Sequence, residues 1–269
     1  MSCACGHHHP RLPDSRDPSG TPIELARPMV ALSGRLICAD ARQMMAALSL
    51  LPDHVELSRA EPGNLRFDLW QDEDPLIWHL AELFRDAEAF AAHQHRTADS
   101  AWGRDGGDLG RDLEQREVMP AIRAEQRGDR DAIDRLLRET FDGKDEARLV
   151  RGLRDQGDLT LSLVAEAAGT ILGQVALSPL TGERPALALA PLAVAAGARG
   201  LGIGTALVRE AIARAEGTPV VVLGDPGYYA RFGFEPAELA SPYAGPHLLV
   251  LGQLPRGAAI GHAPAFAAL

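Results

Sequence analysis

The stretch that decides the fold is a glycine-rich loop, Leu192-Ala193-Val194-Ala195-Ala196-Gly197-Ala198-Arg199-Gly200-Leu201-Gly202-Ile203-Gly204-Thr205. An apolar run typical of a strand, ALALAPLAV, leads into it, and the sequence behind it predicts an amphipathic helix from Thr205 to Glu216. Backbone N–H groups at a helix N-terminus point the same way and carry partial positive charge, and glycine lets a phosphate approach closely. The loop therefore predicts a site for a pyrophosphate-bearing cofactor.

Two common nucleotide-binding loops compete with this interpretation. Asp225 follows Gly202 by 23 residues, close to the ribose-binding spacing of a dinucleotide unit. The G-x-G-x-x-G fingerprint fails, however, because Thr205 or Leu207 stands in place of its last glycine. A P-loop fails because it needs Gly-Lys before Ser or Thr, and the one lysine of the chain is Lys144. A glycine-rich turn without a ligand is the remaining alternative.

The pattern Arg199-x-x-Gly202-x-Gly204 resembles the acetyl-CoA pyrophosphate loop of the GCN5-related N-acetyltransferase (GNAT) family. The resemblance covers residues 120–269, whose predicted order is strand, two helices, three strands, cofactor helix, strand, helix and closing strands. Tyr229-Ala-Arg-Phe-Gly233-Phe234 is similar to the family's Tyr-x-x-x-Gly-Phe signature, and Val222–Tyr229 to its bacterial YhbS-type branch. The resemblance implies an acyl-CoA N-acyltransferase α/β fold over residues 119–269.

The resemblance also implies roles for named residues in direct acetyl transfer to a small amine or an α-amino group. Amides of Leu192, Ala193 and Val194 would hold the acetyl group and pantetheine arm. Tyr229 would be the general acid for the departing thiolate, although packing against Phe232 and Phe234 is an alternative for this residue. The pyrophosphate of acetyl-CoA would be held by Arg199, Gly200, Leu201, Gly202, Ile203, Gly204 and Thr205.

No general base is evident in the sequence. The strand that precedes the loop, Ala186–Leu192, contains no ionisable side chain. Glu166, Glu183 and Asp225 are nearby in sequence, but carboxylates in loops are usually solvated. A water-mediated route is an equal alternative, so we assign no side chain as the base.

The preceding residues, 29–118, predict a ferredoxin-like α+β domain. This order of elements gives a four-stranded antiparallel sheet with helices on one face and the other face in need of cover. The predicted elements are a strand at 29–38, an Asp40-capped helix Ala41–Leu51, a second helical piece His54–Ala60, a hairpin of 65–71 and 76–84, an Asp86-capped helix, a Gly-rich loop Trp102–Gly107 and a strand Asp112–Val118.

This domain resembles the antibiotic biosynthesis monooxygenase (ABM) family in Arg59–Phe67, Ala81–Asp86 and Ala89–His93. The resemblance implies a dimeric α+β barrel, hence a homodimer, and members without metal or flavin oxidise phenols or quinols. The haem-degrading branch relies on an asparagine in the first strand, where this chain has Ser33-Gly34-Arg35. This departure argues against haem degradation. A non-catalytic dimerisation or substrate-gating module is the alternative. Candidate pocket residues are Trp78, His79, His93 and His95.

Residues 1–28 predict a disordered leader that is rich in Pro and in Cys and His. Its thiols and imidazoles suit Zn, Ni or Cu(I), although the spacing is not that of a structural zinc site. A His-bearing terminus without a metal role is one alternative, and a non-catalytic protein that responds to metal and acetyl-CoA is another. The candidate ligands are Cys3, Cys5, His7, His8 and His9.

Length and charge limit the remaining possibilities. The 269 residues suffice for the leader and two domains, and no apolar run reaches the ~20 residues of a membrane span. The formal net charge is −10, and residues 29–117 hold 9 cations against 17 anions. We therefore expect no nucleic-acid or membrane partner. Since no basic and apolar signal begins the chain, we expect a cytoplasmic protein.

Overall fold

The structure is a computed structural model that describes residues 23–106, 108–141 and 143–268. These residues are organised around two β-sheets. The elements up to residue 118 are β1 (Ile23–Glu24), β2 (Met29–Ile37), α1 (Ala41–Ala60), β3 (Asn64–Gln71), β4 (Ile77–Phe84), α2 (Ala87–Asp99), α3 (Ala101–Asp105) and β5 (Gly110–Val118). Those that follow are β6 (Ala121–Ala124), α4 (Arg130–Phe141), α5 (Asp145–Gln156), β7 (Leu161–Ala167), β8 (Thr170–Gly182), β9 (Ala186–Val194), α6 (Ile203–Arg214), β10 (Val220–Leu223), α7 (Pro226–Tyr229), β11 (Glu235–Pro236), β12 (Leu248–Leu251) and β13 (Ile260–Gly261).

The smaller sheet has the strand order β3-β4-β2-β5, with every neighbouring pair antiparallel. Helix α2 packs on one face, where Phe90 meets Phe84 edge to face at 5.2 Å between ring centroids. The Asp86 side chain caps α2 as predicted, accepting the Ala89 N–H at 2.8 Å. The predicted ferredoxin-like arrangement is confirmed.

Two predicted local structures in this unit are wrong. Helix α1 runs unbroken through Pro52, where two helical pieces were predicted. Its buried positions, Ala47, Leu51, His54 and Ser58, keep helical spacing across the proline, so packing holds both halves in one helix. Trp102 lies in α3 and not in a loop, because the Ser100 hydroxyl caps that helix and the indole is buried.

The larger sheet has the order β1-β6-β7-β8-β9-β10-β12-β11, with β13 paired to β8. Helices α4 and α5 cover one face and α6 covers the other. On the α4 side, Ile133 packs in a cluster with Val164 and Ala193. On the α6 side, Ile203 and Leu207 pack in a cluster with strand residues such as Leu163, Val175 and Leu177. This three-layer core fixes the position of β9, which carries the candidate site.

The predicted extent of the leader, near the start of this unit, also needs correction. Ile23–Glu24, predicted as leader, pair with Ala121 and Ile122 of β6, so the end of the leader joins the larger sheet. Asp129, which precedes α4, lies in a 3-10 turn (Arg127–Asp129). Its carboxylate accepts hydrogen bonds from the Gln126 N–H at 2.7 Å and from Arg123 Nη1 at 2.6 Å, which fixes it to the preceding strand.

The two units share apolar packing. Met29 and Leu83, on the face of the smaller sheet opposite α2, are 1% and 0% exposed and belong to the same apolar cluster as Ile203 of α6. Farther along this face, Trp70 is 49% exposed. The larger unit therefore covers one end of the face that needed cover. Among the residues described, no helix is long and apolar enough to cross a membrane.

Candidate active site

The candidate site lies where strands β9 and β10 separate. The two strands pair in parallel at Leu187 with Val220 and at Ala188 with Val221. Strand β9 then continues to Val194, while β10 pairs with β12 on its other side. A bulge in β9 lies between Leu189 and Leu192, which face Leu177 and Val175 of β8. A slot therefore opens along β9 beyond Ala188.

The backbone of β9 presents N–H groups to this slot. The Ala195 N–H donates to Leu172 O of β8 at 2.9 Å. Because N–H groups alternate along a strand, those of Leu192 and Val194 point away from β8, toward the slot. The N–H of Ala193 points toward β8, and its side chain is buried under α4. Two of the three residues predicted for the acyl arm thus offer a free donor.

The glycine loop lies at the end of the slot, where α6 begins. Gly200 and Gly202 have φ of +78° and +86°, in the left-handed region that favours glycine. Gly202 directly precedes the helix, whose first N–H groups have no partner within it. Helix α6 begins at Ile203, two residues before the predicted start. Loop residues Arg199–Thr205 therefore form an N–H cradle suited to an anion.

Gly204 is needed for space and not for its backbone conformation. A methyl group there would lie 3.0 Å from Tyr228 Oη and 3.4 Å from Val194 Cγ2. Arg199 Nε donates to Val194 O at 3.4 Å, so the end of β9 and the start of the loop are connected. Slot and cradle are thus adjacent parts of one site.

Tyr229 ends α7, which follows β10. Its side chain is 7% exposed, and its ring meets Phe234 edge to face at 5.5 Å and Tyr228 at 5.0 Å. Burial, with a smaller contribution from Tyr228, raises the pKa of Tyr229. The hydroxyl therefore stays protonated at neutral pH and can donate. Tyr229 therefore also packs against aromatic rings, as the alternative predicted, and this packing is compatible with a role as general acid.

Tyr228 was missed by the sequence analysis. Its hydroxyl lies near Gly204 and the Thr205 side chain, and Arg231 Cζ lies 4.7 Å from the ring centroid. The Tyr-Tyr pair was visible in the sequence, but the family signature selects Tyr229 alone. The structure places Tyr228 beside the cradle, so this tyrosine also borders the site.

Two of the three carboxylates considered as bases have structural contacts. Glu166 accepts the Gly169 N–H at 2.5 Å and pairs with Arg123 at 3.8 Å. Asp225 caps α7 by accepting the N–H groups of Gly227 and Tyr228 at 3.1 and 3.2 Å. Glu183 lies exposed between β8 and β9. The assignment of no side-chain base therefore stays a prediction.

Comparisons with known proteins identify this half of the chain. Residues 130–234 match the model of the acetyltransferase (GNAT) family. The uncharacterized N-acetyltransferase YhbS of Escherichia coli K12 is 44% identical over 121 residues, which are 42% of this chain and 72% of that protein. The chain belongs to the GNAT family.

A solved structure gives the same assignment. The crystal structure of the E. coli GNAT family N-acetyltransferase YhbS in complex with CoA superposes with a TM-score of 0.50 at 35% identity, covering 55% of this chain and 92% of that one. A Brucella melitensis GNAT acetyltransferase in complex with acetyl-CoA is 34% identical, with a TM-score of 0.48 over 54% of this chain and 96% of that one. The chain is thus an enzyme of the GNAT N-acetyltransferase family, and we call residues 119–269 the GNAT region.

Residues 37–103 match the antibiotic biosynthesis monooxygenase family model, which confirms the second predicted resemblance. We call residues 29–118 the ABM region. Of its four candidate pocket residues, His93 is buried between α2 and the sheet, and Trp78 lies on the same face of β4 as Glu82. His79 lies on the opposite face, stacked on Trp70 at 5.2 Å, and His95 is exposed and pairs with Asp99. The four do not form one pocket.

His93 instead belongs to a group that we call the ionisable cluster: His54, Glu61, Glu82, His93 and Arg96. His93 Nδ1 lies 2.8 Å from Glu61 Oε2, and His93 Nε2 lies 3.4 Å from Glu82 Oε2. Arg96 Nε donates to Glu61 Oε1 at 2.8 Å, and Arg96 Nη1 lies 3.2 Å from His54 Nδ1. Of these five residues only His93 was predicted from the sequence, because its partners from α1, the turn after α1, β4 and α2 meet only in the fold.

Burial dominates the electrostatics of the ionisable cluster. Burial, followed by repulsion from Glu61, raises the pKa of Glu82 to about 8. Burial and the Arg96 charge lower the pKa of His54 to about 3. Glu82 Oε2 has no hydrogen-bond partner. At neutral pH the cluster therefore contains a protonated carboxyl and a neutral imidazole beside the Glu61–Arg96 ion pair.

The predicted metal ligands Cys3, Cys5, His7, His8 and His9 lie outside the described residues, so this site stays a prediction. Within residues 23–106, 108–141 and 143–268, no group of three or more His, Cys, Asp or Glu is arranged to hold a metal ion.

Proposed function

We propose that the GNAT region transfers the acetyl group of acetyl-CoA directly to a small amine or an α-amino group. The separation of β9 from β10 beside the cradle carries this proposal, because it provides a narrow slot that ends at unpaired N–H groups. The binding of CoA by E. coli YhbS supports the choice of cofactor.

In this mechanism the cradle, Arg199–Thr205, binds the pyrophosphate and the slot takes the pantetheine arm as an added strand. The N–H groups of Leu192 and Val194 hydrogen-bond the arm and the thioester, where negative charge develops on the carbonyl oxygen. The amine attacks in its neutral form and the C–S bond breaks. Tyr229 donates its hydroxyl proton toward the departing sulfur, and water takes the proton of the new ammonium group.

A thiol-release assay with a panel of small amines and amino acids tests the proposal. We expect CoA release that depends on the amine, together with a product heavier by one acetyl group in mass spectrometry. Tyr229→Phe should lower the rate of CoA release. Tyr243→Phe is the matched control for this variant, since Tyr243 packs against His262 rather than Phe234. If acetyl-CoA binds but no amine is acetylated, the transferase proposal fails, and the non-catalytic acetyl-CoA-responsive protein takes its place.

A second candidate function belongs to the ABM region: oxidation of a phenol or quinol by O₂. The observation that favours it is the buried His93 imidazole beside Glu82, because burial lowers the pKa of His93 and keeps its ring neutral, so that it can take up a phenol proton. One oxygen atom would enter the ring and the other would leave as water, with the substrate as the electron donor.

Oxygen uptake with a quinol tests the second candidate. His93→Ala should abolish uptake, whereas the exposed His95→Ala should retain it. Equal rates for both variants, or no uptake by the wild type, would contradict an oxygenase role.

We further propose that a homodimer forms through the part of the small sheet that the GNAT region leaves open, near Trp70 and Ile37. Both side chains are large and exposed, as expected of a contact surface. Light scattering of wild type and Trp70→Asp tests this: the wild type should be a dimer and the variant a monomer, whereas a monomeric wild type would contradict it.

A further inference from the structure

The turn between α1 and β3 of the ABM region contacts the GNAT region just before the cofactor cradle. A methyl group at Gly197 would lie 2.8 Å from Leu65 Cδ2 and 3.2 Å from Pro62 O. The backbone at Gly197 therefore fits against this turn without room for a side chain. Gly197 precedes Arg199 by two residues. The ABM region thus borders the segment that leads into the cradle.

That segment is tied to both parts of the cofactor site. The Ala198 N–H donates to Ala195 O at 2.9 Å and the Arg199 N–H to Ala196 O at 3.3 Å, which forms a tight turn. Arg199 Nε donates back to Val194 O. A displacement of Gly197 would therefore move Val194 and Arg199, which hold the arm and the pyrophosphate in the proposed mechanism.

On the ABM side the same turn is anchored to the ionisable cluster. Its first residue, Glu61, lies 2.8 Å from both His93 Nδ1 and Arg96 Nε. The Asn64 N–H donates to Glu61 O at 3.1 Å, which closes the turn. Gly63 fits against α2, since a methyl group there would lie 2.3 Å from Ala89 Cβ. The turn is therefore held from behind by α2 and the cluster.

Further contacts fix how the two regions meet. Arg66 Nη1 donates to Ala168 O in the turn between β7 and β8 at 3.1 Å. Leu65 packs against the apolar cluster that contains Met29, Leu83 and Ile203. Because the half-buried Leu65 packs against this buried cluster, movement at one side of the contact is transmitted to the other.

We propose that Pro62 and Leu65, anchored by Glu61, are positioning residues for the acetyl-CoA cradle, so that the ABM region sets the affinity of the GNAT region for its cofactor. This inference rests on the proposed transferase function. It assigns the ABM region a role in the GNAT site that requires no chemistry in the ABM region itself. Since coupling of binding to conformation is reciprocal, acetyl-CoA should in turn stabilise the ABM region.

Steady-state kinetics on Gly197→Ala, Leu65→Ala and the double variant test the contact. We expect each single variant to raise the KM for acetyl-CoA at least about fivefold, the low end of coupling between sites, with kcat retained at saturation. The double variant should have a lower KM than the product of the single effects, because the shorter side chain makes room for the new methyl group. Leu51→Ala, the same truncation in the ABM core, should leave the KM unchanged.

Substitutions of Glu61 test whether this residue anchors the turn, because its partners His93 and Arg96 lie in the ABM region. Glu61→Ala should raise the KM for acetyl-CoA, while Glu61→Gln, which keeps an oxygen acceptor for Arg96, should restore most of the affinity. A role confined to the stability of the ABM region would instead change its unfolding and leave the KM alone.

Fluorescence tests the reciprocal effect, because the three tryptophans, Trp70, Trp78 and Trp102, all lie in the ABM region. Saturating acetyl-CoA should raise the denaturation midpoint that they report in the wild type, and less so in Leu65→Ala. If the wild type binds acetyl-CoA but Leu65→Ala and Glu61→Ala keep its KM and midpoint shift, the positioning role is overturned and the transferase stands. If the wild type does not bind acetyl-CoA, both fail.

Discussion

The acetyl-CoA cradle presents backbone N–H groups at the surface, whereas the ionisable cluster encloses titratable side chains between a helix and a sheet. In the cradle, Gly200 and Gly202 are exposed and supply conformation alone. In the cluster, Glu82 and His54 are buried and their pKa values move far from the ordinary range. An anion site made of N–H groups needs no ionisation, while the cluster depends on it. The cradle should therefore be insensitive to pH and the cluster sensitive.

The largest expected effect separates chemistry from binding in the GNAT region. Tyr229→Phe removes the proton donor to the sulfur and should lower kcat about 10³-fold. The ring packing is retained, so acetyl-CoA affinity should change little. Steady-state assays measure kcat, and calorimetry measures the affinity for acetyl-CoA. A loss of affinity with normal kcat would make Tyr229 a packing residue only.

A smaller effect is expected on the stability of the ABM region. Arg96→Ala leaves Glu61 without its cation in a partly buried site and should lower the free energy of unfolding by about 3 kcal/mol. Urea denaturation followed by tryptophan fluorescence measures this change. Arg104→Ala, at an exposed arginine of α3, is the control and should change it by less than about 0.5 kcal/mol. Equal, small changes would show that the ion pair is unimportant.

The pH dependence of stability should come next in size. Glu82, with a pKa of about 8 in place of 4.5, binds more protons folded than unfolded between these values, so stability falls as pH rises. His54, with its pKa lowered from 6.5 to about 3, has the opposite effect, but only below pH 6.5. From pH 6.5 to 8 the ABM region should therefore lose about 2 kcal/mol.

Denaturation at the two pH values, with Glu82→Gln as the comparison, checks this slope. The variant contains a neutral amide that does not titrate, so its stability should be flat over this range. A wild type that is equally flat would mean that Glu82 is not protonated in the folded protein.

The smallest effect concerns the absence of a side-chain base. Glu183→Gln should leave kcat within about twofold of the wild type across the pH range, because Glu183 is an exposed turn residue. A loss of the basic limb of the pH profile in this variant would identify Glu183 as the base and contradict the water-mediated route.

The two regions also differ in what the sequence could predict. The cradle was predicted residue by residue because glycine spacing and a strand-to-helix junction are local features. The slot was not, since it depends on where β9 and β10 stop pairing. The continuous helix through Pro52 depends on tertiary packing of Ala47, Leu51, His54 and Ser58, which outweighs the local signal of proline. The ionisable cluster joins residues from separate elements and has no spacing that marks it.

Calorimetric titration of acetyl-CoA into wild type, Gly202→Asp and Gly217→Asp tests the central claim most directly. Gly202 and Gly217 both have positive φ and open space around them, but Gly217 follows the other end of α6. An aspartate at 202 would place negative charge at the anion cradle. We predict binding to the wild type and Gly217→Asp, and at least about 100-fold weaker binding to Gly202→Asp. Equal binding to all three, or none to the wild type, would contradict the account.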